Sequence, residues 1–313
     1  MNTMVTIIIP CYNQQDKVKR CIDSVRNQSF EDYSVYMIDD GSTDHTADVI
    51  KENIKDDNRF HYVYQPNGGL SNARNTGFKM TQTEFVCFVD SDDYIHQDYL
   101  KELITPLQNG DYDMSACYFE RVYDDHTSMN TFSQRDLFLC KNPSAWAKMF
   151  RTETIRKNGV LFPEGLWYED LCFFGQLVPH MKSIYVVEKP LYYYIQNPNS
   201  IMYTYSDRIY EIYKVFDLIG KADSYDKKQL EYLNVYHILV GTVFRASFKE
   251  GFDRNELMNI VEHVEKQYPQ WYRNPIIREQ MSLFYRIYLF FIHIHWYGFV
   301  TLVLKLLNKH VSL

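Results

Sequence analysis

No cysteine in this chain has the spacing of a metal knuckle or a redox motif. The six stand at 11, 21, 87, 117, 140 and 172, with no CxxC and no Cys/His ligand pattern. They read as reduced thiols of a cytosolic protein rather than a disulfide framework. No block of Lys and Arg appears either, and the formal net charge is −7, which argues against a nucleic-acid partner. The start, MNTMVTIIIP, has no basic segment, and its apolar run is six residues long. That is too short for a signal peptide, so none is expected. The rest of the composition, 46% hydrophobic and 23% charged over 313 residues, is ordinary for a globular protein with one large core or a core plus an appendage.

What is present is an alternation of strand and helix. Val5 to Ile9 is a β-branched run stopped by Pro10, as in a strand buried on both faces. Val18, Ile22 and Val25 recur at helical spacing, predicting a helix over 15–28. Strands are expected at 33–38, 60–64 and 85–89. Helices are expected after Ser42-Thr43-Asp44, over 71–79 and over 96–107. Such βαβ units imply a mainly parallel sheet. CYN (11–13), DDGS (39–42), QPNGG (65–69) and DSDD (90–93) each follow a strand. In a parallel sheet those ends share one rim, where open α/β sheets bind ligands.

DSDD is the sharpest of these signals. Asp90, Asp92 and Asp93 crowd three carboxylates where an apolar run stops, and like charges so close call for a positive partner. Asp90 and Asp92 can both reach a divalent cation, and hard oxygen donors suit Mg²⁺ or Mn²⁺. The alternative is an Asp-rich surface turn, with Asp93 capping the following helix.

IIIPCYNQ, MIDDGSTD, NGGLSNARNTG and FVDSDD, in this order, resemble the family-2 inverting glycosyltransferases of the GT-A fold. The resemblance runs from Val5 to about Ile201 and rests on several separate motifs. It implies an α/β GT-A fold, a Rossmann-like and mainly parallel sheet with flanking helices, followed by a C-terminal helical region. It implies a metal-dependent hexosyl- or N-acetylhexosaminyltransferase that takes a UDP-sugar to a glycan or lipid-linked acceptor in surface polysaccharide, capsule or cell-wall synthesis. By the same resemblance Pro10, Tyr12 and Asn13 border the nucleoside and Asp40 accepts from the uracil edge. Asn67, Gly68 and Gly69 let the backbone approach the donor. Arg74 binds the base, the diphosphate or a DSDD carboxylate. Asp90 and Ser91 lie by the ribose, and Asp92, with Asp90, holds the metal.

The second half resembles the acceptor side of that family. Trp146 and Lys148 match its W-x-K segment, and Glu169-Asp170 match the acidic pair at the head of a helix. Asp170 is expected as the base, with Glu169 supporting it. Ser200 is expected near phosphate. Gln196 and Asn197 stand where the family often has Arg or His, which weakens any second cation clamp there. Without the resemblance, Trp146 reads as core and the acidic pair as first-turn helix charges.

The divisions expected are 1–105 for the nucleotide-sugar half, 106–206 for the acceptor and catalytic half, and 207–313 for the helical region. Helices are expected at 210–219, 227–249 and 254–268. The run from Leu283 to Lys309 is long and apolar but interrupted by Arg286, His293 and His295, which argues against a transmembrane span. Two readings of it stand level: a helix lying on the inner face of the cell membrane or on a partner, including another copy, and a core helix closing the domain. A non-catalytic nucleotide-sugar-binding scaffold is the alternative to an enzyme.

Overall fold

A computed structural model describes residues 3–196, 205–221 and 225–311. The chain forms two compact units, 1–197 and 198–313. Ser200 and Asn197 lie outside the described residues.

In the first unit, β1 (Val5–Cys11), β2 (Tyr33–Asp39), β3 (Phe60–Tyr64) and β4 (Phe85–Phe88) are joined by α1 (Val18–Arg26), α2 (Thr46–Ile54) and α3 (Leu70–Met80). They are followed by β5 (Tyr94–Ile95), α4 (Tyr99–Asn109), β6 (Met114–Val122), β7 (Thr127–Asn130), α5 (Gln134–Phe138), β8 (Lys148–Arg151), α6 (Thr152–Lys157), α7 (Glu169–Leu177) and β9 (Ile184–Ile195). One sheet carries both expected halves, in the order β3-β2-β1-β4-β8-β6-β9-β5, with β7 on β6. Its first four strands are parallel neighbours. Beyond β4 it is mixed, because β8 runs antiparallel to both β4 and β6 while β6 and β9 are parallel.

β1 is buried throughout, as its unbroken apolar run requires of a strand covered on both faces. α1 turns Val18, Cys21, Ile22 and Val25 inward, the faces that a 3.6-residue period brings together. α3 crosses β1 at close range: a Cβ on Gly77 would lie 2.5 Å from the Ile8 side chain. All six cysteines are buried, and none is in a disulfide.

The second unit is helical: α8 (Ile212–Ile219), α9 (Lys227–Asn234), a π-helical segment over Val235–Thr242, α10 (Val243–Ala246), α11 (Arg254–Gln267), α12 (Pro275–Gln280), α13 (Leu283–His293) and α14 (Tyr297–Val311). The helix expected over 227–249 is thus partly π-wound. The Tyr288 hydroxyl donates to the Leu239 carbonyl within the π segment at 2.8 Å. The single helix expected over 283–309 is instead a hairpin. His295 takes a left-handed backbone (φ 58°) and ends the first arm, so His293 closes α13 while His295 sits in the turn. No helix of the described residues is long and apolar enough to cross a membrane.

Candidate active site

The C-terminal ends of β3, β2, β1 and β4 do share one rim, and hydrogen bonds lace them together. Asp40 N–H donates to the Cys11 carbonyl and Gln65 N–H to the Asp39 carbonyl, both at 2.9 Å. The two aspartates at the end of β2 divide their work. Asp39 faces its own loop and the sheet, accepting from Ser42 N–H at 2.9 Å and from the Tyr62 hydroxyl at 2.6 Å. Asp40 turns to the next loop, where Oδ1 accepts from the Gln65 amide at 2.6 Å and from Gly68 N–H at 2.9 Å, and Oδ2 accepts from Gly69 N–H at 2.8 Å. Asn67 Nδ2 donates to the Asp40 carbonyl at 2.9 Å. Gly41 is required here, since its φ is +72° and a Cβ would fall 2.7 Å from Asn67 N.

Tyr12 projects from the end of β1, half exposed, while Pro10 beneath it is buried. Asn13 is left-handed (φ 52°) and accepts from Thr43 N–H at 2.9 Å. Ala147 (φ 57°) and Tyr168 (φ 63°) have the same uncommon backbone at the other side of the rim, a conformation that a side-chain-bearing residue holds only against a cost of about 1–3 kcal/mol.

Arg74, on α3, is the centre of the arrangement. It is 1% exposed, and its guanidinium donates to Asp90 Oδ1 at 2.9 Å and to Asp170 Oδ1 at 2.7 Å, with Glu169 Oε1 at 3.5 Å. The guanidinium lies over the Phe162 ring, 5.2 Å from its centroid. Burial alone would weaken its charge, but the three carboxylates overrule that and raise its pKa. Arg74 therefore ties the end of β4 to the start of α7.

Glu169 and Asp170 occupy the first turn of α7, where the helix dipole favours negative charge. The second Asp170 oxygen accepts from Ala145 N–H at 3.1 Å. About a fifth of each acidic side chain stays open to solvent. Burial, then the neighbouring Asp170 charge, pushes Glu169 up to about 7, with Arg74 opposing. Asp170 is also raised, chiefly by burial and against the pull of Arg74.

The DSDD carboxylates separate into two roles. Asp93 is fully buried, accepting from Ile195 N–H at 2.9 Å and from the Tyr192 hydroxyl at 2.7 Å. It pins β9 to the rim rather than capping a helix. Asp92 and Asp90 are part-exposed, and Ser91 between them is buried. Burial, then the Asp90 charge, raises the Asp92 pKa, while Lys17 answers only from 3.8 Å. Asp90, with Oδ1 held by Arg74, and Asp92, whose nearest ammonium is Lys17 at 3.8 Å, are two hard oxygen donors two residues apart that a divalent cation fits. Among the described residues no three His, Cys, Asp or Glu side chains form a metal-holding group, so Asp90 and Asp92 would leave other positions to a ligand or water.

Two expected acceptor contacts face inward. Lys148 is fully buried: its ammonium donates to the Ser144 carbonyl at 2.7 Å and lies over Phe174, and burial lowers it to about 7. It braces the 144–147 loop that presents Ala145 N–H to Asp170. Trp146 is 9% exposed, stacked on Tyr192 at 4.7 Å and meeting Phe119 edge-on at 4.8 Å. Trp146 thus packs as its core reading expects, and Lys148 faces inward beside it. Sequence reasoning also missed Gln65, which joins Asp40 to Asn72, and Tyr192, which joins Asp93 to the backbone N–H of Asp90 at 3.2 Å. Only Gln65 carried a signal, as a polar residue directly after a strand.

The sequence profile of Glycosyl transferase family 2 matches residues 6–163. Among curated relatives, the uncharacterized glycosyltransferase EpsJ of Bacillus subtilis is 28% identical over 218 residues, 64% of this chain and 63% of its own length. The poly(ribitol-phosphate) beta-glucosyltransferase of Bacillus spizizenii is 23% identical over 284 residues, 86% of this chain and 44% of its own. The chain spans 63% and 65% of the first two relatives it matches. Among solved structures, S. aureus TarS 1-349 in complex with UDP-GlcNAc superposes with a TM-score of 0.74 at 20% identity, covering 98% of this chain and 92% of that one. Motifs, rim geometry and profile agree: this chain belongs to glycosyl transferase family 2 and has the GT-A fold.

Proposed function

We propose that the chain is an inverting, metal-dependent glycosyltransferase that moves a sugar from a UDP-sugar to a glycan or lipid-linked acceptor of the cell surface. The observation that carries this reading is the Arg74 bridge, which makes the candidate base and the candidate metal-side carboxylate one hydrogen-bonded unit. The UDP complex of TarS and the poly(ribitol-phosphate) in the name of the B. spizizenii relative support the donor and acceptor classes.

Asp92 and Asp90 would hold Mg²⁺ or Mn²⁺, whose chemistry there is to offset charge on the departing diphosphate. Asp40 and the Gly68-Gly69 backbone border the nucleoside, with Tyr12 alongside. Asp170 takes the proton of the acceptor hydroxyl as that oxygen bonds to C1, on the face opposite the leaving phosphate. The C1–O bond breaks, and its electron pair leaves with UDP. A carboxyl whose pKa is raised by burial is a stronger base than an exposed one. Arg74 and Ala145 N–H fix its orientation.

Purified protein with Mn²⁺, a panel of UDP-sugars and cell-wall glycan acceptors tests this. UDP release, with product of inverted anomeric configuration by NMR, is expected. Tight UDP binding without release in the presence of the cognate acceptor would instead make the chain a donor-binding subunit.

A further inference from the structure

The last two helices are apolar on both sides. α13 and α14 bury Leu289, Ile292, Val300 and Leu304. On the outer side of α13, Leu283, Ile287, Phe290 and Ile294 are spaced four, three and four residues apart, which puts them on one face. They are 64%, 48%, 56% and 47% exposed. Trp296 at the turn and Leu302 and Leu306, one turn apart on α14, are also apolar and each more than half exposed. Single exposed apolar residues are ordinary, but a continuous apolar face marks something that covers it.

Charge decides what covers it. From residue 280 to 313 the sequence contains Arg286, Lys305 and Lys309 and no Asp or Glu, so this segment is cationic in a chain of net charge −7. Lys305 is exposed beside Leu306. A two-fold pairing of copies through this face would set cationic patch against cationic patch, because such an interface is self-matching. The segment has no acidic side chain to answer them. An anionic lipid surface offers an apolar layer and negative charge together. At 1.5 Å per residue, arms of 11 and 15 residues reach only about 16 and 22 Å, short of the roughly 30 Å hydrocarbon core.

We propose that the α13–α14 hairpin is a membrane-docking surface that lies in the plane of an anionic bilayer. Its outer apolar face sinks about 5–10 Å into the headgroup–acyl boundary. Trp296 stands at headgroup level, and Arg286 and Lys305 meet lipid phosphates. This stands apart from the catalytic reading, since it concerns neither donor nor base.

Cosedimentation of the full chain with vesicles tests it. Vesicles of phosphatidylcholine with about 30% phosphatidylglycerol should bind the protein, and pure phosphatidylcholine should bind it about tenfold more weakly. The double variant Phe290→Ser/Leu302→Ser should lose binding with its thermal unfolding midpoint unchanged, since both positions are exposed. Lys305→Glu should weaken binding to the anionic vesicles about tenfold. Absence of binding to anionic vesicles would overturn the proposal, as would binding that neither variant alters. A concentration-dependent dimer that Phe290→Ser/Leu302→Ser dissociates would give the face to a second copy instead.

Discussion

The rim of the first unit and the hairpin of the second are opposite kinds of surface. At the rim, charge is concentrated and tightly partnered: one buried arginine serves three carboxylates, and Asp40 receives three hydrogen bonds from a single loop. In the hairpin, polar groups are sparse and large apolar side chains stand in solvent. Both arrangements cost stability in isolation, the first through desolvated charge and the second through hydrated hydrocarbon. What would relieve each differs: a charged small molecule for the rim, a broad apolar layer for the hairpin.

Substitutions can break or sharpen that contrast. Asp170→Asn should give the largest effect, a loss of about 10²–10⁴ in kcat with UDP affinity retained. Turnover kinetics beside a UDP titration check it, and retained turnover would remove Asp170 from the base role. Arg74→Gln leaves Asp90, Glu169 and Asp170 without their cation, at a cost of about 3–5 kcal/mol in chemical denaturation. If the fold survives, the acid limb of kcat/KM should move to higher pH, because Arg74 holds the Asp170 carboxyl down. Tyr192→Phe removes the donor to Asp93 and should cost about 1–3 kcal/mol.

The smallest effect concerns Lys148. Burial lowers its folded pKa to about 7, below that of the unfolded chain, so the unfolded state binds the proton more readily between those values. Stability therefore gains from this group as pH rises above 7. Lys148→Met should flatten the rise of stability from pH 7 to 9 relative to the unaltered protein, as read by denaturation at each pH.

Much of the rim was legible in the sequence, because a parallel sheet puts successive strand ends on one side and the motifs fell at those ends. The division of labour within each motif was not. Asp39 and Asp40, or Asp92 and Asp93, are indistinguishable as letters, and only backbone direction sends Asp39 to its own loop and Asp40 to the next, or buries Asp93 and leaves Asp92 part-exposed. The burial of Lys148 was not legible either, because it follows from β8 entering the sheet antiparallel between β4 and β6. The hairpin was hidden for a different reason. An apolar run reads as one helix until a single residue, His295, adopts a left-handed turn that its neighbours do not announce.

Metal-dependent UDP binding is the most direct test, because Asp92 and Asp90 are the proposed anchor of the donor diphosphate. Calorimetric titration of UDP with and without Mn²⁺ should show affinity that requires the ion in the unaltered chain and in Asp170→Asn, and none of that dependence in Asp92→Ala. An Asp92→Ala titration that still gains affinity on adding Mn²⁺ would contradict it.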